Sequence, residues 1–236
     1  MALAITSMLF FQHAIAKSTT EITEPSVAFD LAVKDVKRRL GQIKPNMRLS
    51  YVRTKTEPGS TDEVAKFTPA GEIGGSWSII APEGRNAKDW EDNTLLLLQN
   101  YDLTKATLKA ETDETWIFEM PALLEREIKS GDMDRDEAED IAKVLRSELE
   151  VTKDQPHFRS SQVYSTSSFS INLFIKVLQL NKKNTFSEAW AGGPIVIKKQ
   201  IEKVEGRVGL FVDLDKNSTY TNSEFKLIDV SNSSPN

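Results

Sequence analysis

From Ser26 to Gly41 the apolar residues Phe29, Val33, Val36 and Leu40 recur at steps of four, three and four. That spacing is one face of an α-helix. Ser26 stands where a cap is wanted, Gly41 closes the run as a C′ residue, and Pro45 bars continuation. The period then falls to two. In "RLSYVRTKT" Leu49, Tyr51 and Arg53 share one side, Ser50 and Val52 the other. "EPGSTDE" is a Pro-Gly turn, "EVAKFTP" a second strand, and "GGSWSIIAP" a third with Trp77 and Ile79 on one face. Asn86 caps a short helix carrying Trp90, Leu95 and Leu97. "ATLKAETDETWIFEMP" predicts a hairpin that turns near Thr112-Asp113-Glu114 and returns Trp116 and Phe118 on one face.

After Pro121 a helical stretch runs to Val151, broken at Ser130-Gly131. Its second half places Ala138, Ile141, Ala142, Leu145 and Leu149 on one face. The last third reads as strand. "SFSINLFIKVLQL" alternates without a break, with Phe169, Ile171, Leu173, Ile175 and Val177 on one side. "NTFSEAW", "PIVIKKQIEKV", "GRVGLFVDL" and "SEFKLIDV" follow, separated by Gly, Asn, Asp or Ser. The pattern predicts a mainly β (α+β) fold: one large curved antiparallel sheet of about ten strands, with an N-terminal helix and one or two covering helices.

The first sixteen residues hold no Lys, Arg, Asp or Glu and end in Ala14-Ile15-Ala16. An apolar run closing on an A-x-A pattern reads as a signal peptide, and so as a periplasmic or secreted protein; the competing reading is a buried N-terminal helix, since no basic residue precedes the run. Residues 17–25 form a polar leader, 26–230 a single β-rich domain, and 231–236 a disordered tail. The chain has no cysteine, which excludes disulfides, thiolate nucleophiles and Cys-metal sites. Net charge is −5 with both signs interspersed, and the densest basic group, Lys34, Lys37, Arg38 and Arg39, falls at a helix end where cations suit the dipole. The pattern argues against a nucleic-acid partner, which needs clustered Lys and Arg.

Asp132, Asp134, Asp136 and Glu137 resemble a calcium loop in their spacing but lack its glycine and its closing glutamate; acids in a helix's first turn explain them better. Asp213, Asp215, Asn217 and Glu224 occupy loop positions one, three, five and twelve, which leaves calcium as a candidate cofactor. Both flanks read as strands, however, so a plain hairpin loop is the competing reading. Of two histidines, His13 lies in the expected signal peptide, so His157 alone remains as a catalytic base, and no G-x-S-x-G elbow accompanies it. Paired carboxylates for a hydrolase are invisible in a sequence with 35 acids. The aromatics Trp77, Trp116, Phe118, Phe169 and Trp190 all fall on strand readings. They form either a core or the lining of an apolar cavity that takes a lipid-like ligand.

The order of elements resembles the periplasmic lipoprotein-carrier fold, a half-barrel with a helical lid, over most of residues 26–230. Separately, "FTPAGEIGGSWSIIAPEGRNAKDWED", "FSINLFIKVLQLN" and "AGGPIVIKKQIEKVEGRVGLFVDLD" are similar to an uncharacterised family of secreted proteobacterial proteins. The first resemblance implies binding of a lipid-like ligand; the second implies no activity and no site residues. The sequence thus supports three readings: a periplasmic non-catalytic binding protein for an apolar or lipid-like ligand, a structural envelope protein that binds a protein partner around a filled aromatic core, or a carboxylate-dependent hydrolase.

Overall fold

Helix α1, Pro25–Leu40, buries Ala28, Phe29, Ala32 and Val36, with Val33 and Leu40 partly covered beside them. In the computed structural model, residues 24–70, 74–83, 101–122, 134–171, 174–209 and 212–231 are described. The expected signal peptide, most of the expected leader, the helix expected after Asn86, most of the helical run expected before Gly131, Leu173 and most of the tail lie outside them. Ser26 is inside α1 and does not cap it: Pro25 takes the first turn, where its missing N–H costs nothing, and Glu24 is the cap position. Ala28 and Ala32 add to the predicted face because their small side chains let the helix approach the sheet closely.

Eleven strands make one antiparallel sheet among the described residues. They are β1 Met47–Thr56, β2 Glu63–Ala70, β3 Gly74–Ala81, β4 Thr107–Glu111, β5 Thr115–Pro121, β6 Leu145–Thr152, β7 Phe158–Ser165, β8 Phe169–Ser170, β9 Ile175–Glu188, β10 Ile195–Val208 and β11 Val212–Asp229. The order across the sheet is β3-β2-β1-β11-β10-β9-β7-β6-β5-β4, with β8 paired to β9 off that path. The last strand thus returns to pair with the first, Met47 opposite Asp229.

The sheet is curved and not closed. One hydrophobic cluster joins α1 to Tyr51 of β1, Phe67 of β2, Trp77 of β3, Phe225 of β11, Ile195 and Ile197 of β10, Phe186 of β9, Phe158 of β7, Leu149 and Val151 of β6, and Trp116, Phe118 and Met120 of β5. Strands lie about 4.8 Å apart and a helix is about 10 Å across, so a flat sheet could not bring these strands to one helix. Bulges at Ser50/Val52, Ile197/Lys199 and Glu205/Gly206 supply local bends. The expected half-barrel is therefore present, with α1 in its hollow.

Three sequence readings are corrected. The second helix, α2 Arg135–Val144, ends where β6 begins, so Leu145 and Leu149 belong to a strand. Asp134 caps α2 by accepting from the Glu137 N–H at 2.8 Å, with Asp136 and Glu137 in the first turn as their charge predicts. "SFSINLFIKVLQL" is not one strand: β8 turns back on β9, pairing Phe169 with Val177, and the Ile171 N–H donates to the Ile175 carbonyl at 2.9 Å. Residues 213–224 are not a loop but part of the uninterrupted β11.

Arg39 fastens α1 to the β9–β10 turn. It binds Asp35 at 2.6 Å, Glu188 at 2.7 Å and the Gly193 carbonyl at 3.1 Å. Burial raises the Asp35 carboxyl, but hydrogen bonds and charge from Arg38 and Arg39 outweigh it and hold the group below its ordinary range. The Gly192 N–H, and Arg39 against partial burial, do the same for Glu188. Both carboxylates are depressed on folding, so their stabilisation is complete above the ordinary carboxylate range, about pH 4 to 4.5, and disappears as pH falls through the folded values. Arg39→Met should cost about 1 kcal/mol at neutral pH, discounted for the part-exposed Glu188. Urea melts should show the gap between variant and wild type closing below about pH 4; a gap unchanged by acid would place the effect in packing.

Candidate functional site

Tyr51, Phe67 and Trp77 are directly opposite one another across β1, β2 and β3. Their rings form a continuous set: Tyr51 to Phe67 at 5.3 Å, Phe67 to Trp77 at 5.2 Å, and Tyr51 to Trp77 edge-on at 5.4 Å. Gly75 leaves room for this, since a Cβ there would lie 2.3 Å from the Phe67 Cζ. Gly75 therefore serves ring packing.

Phe225 joins from β11, its ring stacked on Tyr51 at 6.2 Å. It reaches this side because of a bulge. Ser218 and Asn222 are buried at alternate positions, whereas further along Phe225 and Leu227 are the more covered residues. The parity changes at Glu224, which has φ 53° and lies where two β11 residues oppose Tyr51 alone. The result is a four-ring aromatic wall across β11, β1, β2 and β3, running to the open edge of the sheet. Tyr51 is buried; Phe67, Trp77 and Phe225 are half-buried and pack against the main cluster.

Arg53 forms one end of this wall. Its side chain is buried, with the guanidinium 5.2 Å from the Trp77 ring, 5.4 Å from Tyr51 and 5.7 Å from Tyr220. Its Nε donates to Asn222 Oδ1 at 2.9 Å, and Asn222 Nδ2 donates to the Ile197 carbonyl at 2.8 Å. The polar chain holds Arg53 rigidly among the rings. The rings are tilted or edge-on to one another with the buried Arg53 cation set among them, an arrangement that suits an apolar body and supplies no nucleophile.

Of the five aromatics singled out in the sequence, Trp77, Trp116 and Phe118 belong to the main cluster, and Phe169 and Trp190 lie outside it. Trp77 is on the wall. Trp116 and Phe118 are core, 2% and 4% exposed, with Phe118 4.5 Å from Phe29 of α1. Phe169 packs in a second cluster with Ala122, Ile141 and Leu145 beneath α2. Trp190, 39% exposed, lies beyond β9 in the turn before β10. Tyr51, Phe67 and Phe225 went unnoticed because their meeting depends on register. The clue within reach was the alternation that put Tyr51 on one face of its strand.

The four calcium candidates are likewise spread out. Asp213, Asp215 and Asn217 are exposed along β11, Asp213 beside Arg207 at 3.6 Å, and Glu224 is about 23 Å beyond Asn217 at the usual strand rise. Among the described residues no group of three or more His, Asp and Glu is placed to hold a metal. His157 lies in the β6–β7 turn, its Nδ1 2.8 Å from the Gln155 carbonyl and 2.9 Å from Thr152 Oγ1. On the opposite side of the sheet Lys109 bridges Glu148 at 2.6 Å, Tyr164 at 2.7 Å and Glu119 at 2.9 Å. These partners, Glu148 foremost, push its ammonium pKa far up, so it stays charged and laces four strands together.

A solved structure similar to this chain is that of a LolA superfamily protein from Nitrosomonas europaea. It is 12% identical, with a TM-score of 0.39, over 84% of this chain and 94% of that one. No protein-family model and no curated protein matches the chain. The likeness to secreted proteobacterial proteins therefore stands on the quoted residues alone.

Proposed function

We propose that the protein is a non-catalytic binder of an apolar, lipid-like ligand, acting in the periplasm or outside the cell. The observation that carries this reading is the aromatic wall of Tyr51, Phe67, Trp77 and Phe225, in which Phe67, Trp77 and Phe225 are only partly covered and Trp77 lies on the edge strand β3. Partly covered aromatic surface held by rigid strands suits an apolar partner. The guest would lie along the rings with its polar end toward Arg53. The apolar run ending in Ala14-Ile15-Ala16, read as a signal peptide, supports that setting. Among the described residues no helix is long and apolar enough to cross a membrane.

A titration with an anthroyloxy-labelled stearate tests the reading. Trp77→Ala should weaken binding about tenfold or more, equal to about 1.4 kcal/mol. Trp190→Ala, away from the wall, should leave it unchanged. Equal affinity in both variants would move the ligand elsewhere.

One observation favours the second reading, a structural protein that docks on an envelope partner. Phe29, Trp116, Phe118 and Phe158 fill the hollow beneath α1 without a guest. If that filling extends over the wall, the labelled stearate will not bind at any concentration below its own aggregation.

A further inference from the structure

A row of polar side chains crosses the floor of the hollow at one level. Leu149 is directly opposite Ser161, Ser161 opposite Asn184, Asn184 opposite Gln200, and Gln200 opposite Tyr220. All five therefore lie on one face of β6, β7, β9, β10 and β11. It is the covered face: Leu149 belongs to the main cluster, and Ser161, Asn184 and Gln200 are only 1%, 4% and 3% exposed. Two residues along β9 on the same face, Phe186 is opposite Ile197, and both are apolar core. Apolar side chains would fill the row as well, without the cost of burying amides and a hydroxyl.

Three polar groups meet in this row. Tyr101 Oη donates to Ser161 Oγ at 2.8 Å, and Asn184 Nδ2 donates to the same oxygen at 3.1 Å. Burial pushes the Tyr101 phenol pKa up, so it remains a donor at neutral pH. Asn184 Oδ1 is buried and has no hydrogen-bond partner among the described residues. A buried amide oxygen of this kind is an acceptor waiting for a donor. At its other end the row meets the aromatic wall, where the Arg53 guanidinium lies 5.7 Å from the Tyr220 ring. Asn184 therefore lies beyond Arg53 on the side toward which a guest on the wall would turn its polar end.

We infer that Asn184 selects guests whose head donates a hydrogen bond, a hydroxyl or an amide N–H, with its Oδ1 as the acceptor. The inference rests on the lipid-binding reading and adds the chemistry of the head. Displacement of the anthroyloxy-labelled stearate from the full chain is measured with dodecanol and with methyl dodecyl ether, which lacks the donor. Apolar burial alone would favour the ether, whose extra methyl is more surface to bury. The wild type should instead take the alcohol about tenfold more tightly, because the ether leaves a buried acceptor unpaired. Asn184→Leu should reverse that order by weakening the alcohol and leaving the ether unchanged, whereas Trp77→Ala should weaken both alike. The order in the wild type decides the matter even where Asn184→Leu does not fold. If the label binds but the wild type prefers the ether, or takes the two equally, water meets Oδ1 and the inference is overturned while the lipid-binding reading stands. If Asn184→Leu keeps the preference for the alcohol, another acceptor reads the head and the inference is overturned. If neither the label nor either competitor binds the wild type, the reading and the inference fall together.

Discussion

Phe29→Ala is expected to destabilise the protein by about 3 to 4 kcal/mol, the range for emptying a large aromatic site in a packed core. Phe29 is the bulkiest side chain that α1 places in the hollow, its ring 4.5 Å from Phe118 and 5.6 Å from Phe158, edge-on to the latter. Its buried companions on the helix are Ala28, Ala32 and Val36, so nothing adjacent on α1 can swing in to fill the space. Loss of the two ring contacts adds to the cavity. Leu31→Ala on the exposed side of the same helix should stay within about 0.5 kcal/mol. Urea unfolding followed by circular dichroism separates the two. A small effect at Phe29 would mean that α1 is a loose attachment and the hollow is filled by something else.

Gly206→Val is expected to cost about 2 to 3 kcal/mol, the upper range for forcing extra atoms into a packed site. Strand propensity alone would predict a gain, since valine favours strands and glycine does not. Sterics decides the sign. A Cβ at Gly206 would lie 2.4 Å from the Lys176 carbonyl oxygen and 3.2 Å from the Val177 Cα, both backbone atoms of β9 that cannot rotate away. The bulge at Glu205/Gly206 brings the two strands this close. Amide exchange should therefore quicken at Val177 and Val204 while Leu149 and Val151, in β6, keep their protection. A stabilised variant would mean that the bulge is absent.

Much of the architecture was legible wherever one pattern repeated. Phe29, Val33, Val36 and Leu40 placed α1, and the hairpin at Thr112–Thr115 declared itself through turn residues flanked by Trp116 and Phe118. Failure came where two periods agree. Leu145 and Leu149 are four apart, which fits a helix face and a strand face equally, and the buried position between them is the polar Ser147, which hid the alternation. The turn between β8 and β9 carries Ile171 and Phe174, so no polar residue at those positions announced the reversal. In β11 the polar run from Asp213 to Asn222 looked like a loop, because one side is exposed and the covered side holds Ser218 and Asn222. The site was harder still. Trp77 could be picked out by type, but its meeting with Tyr51, Phe67 and Phe225 depends on register and on the bulge at Glu224.

Native mass spectrometry of the gently purified full chain tests the aromatic wall most directly. The account predicts a second population heavier than the polypeptide by the mass of one apolar molecule, lost on mild activation and missing in Trp77→Ala. Polypeptide mass alone, unchanged when lipid extract is added back, would contradict it.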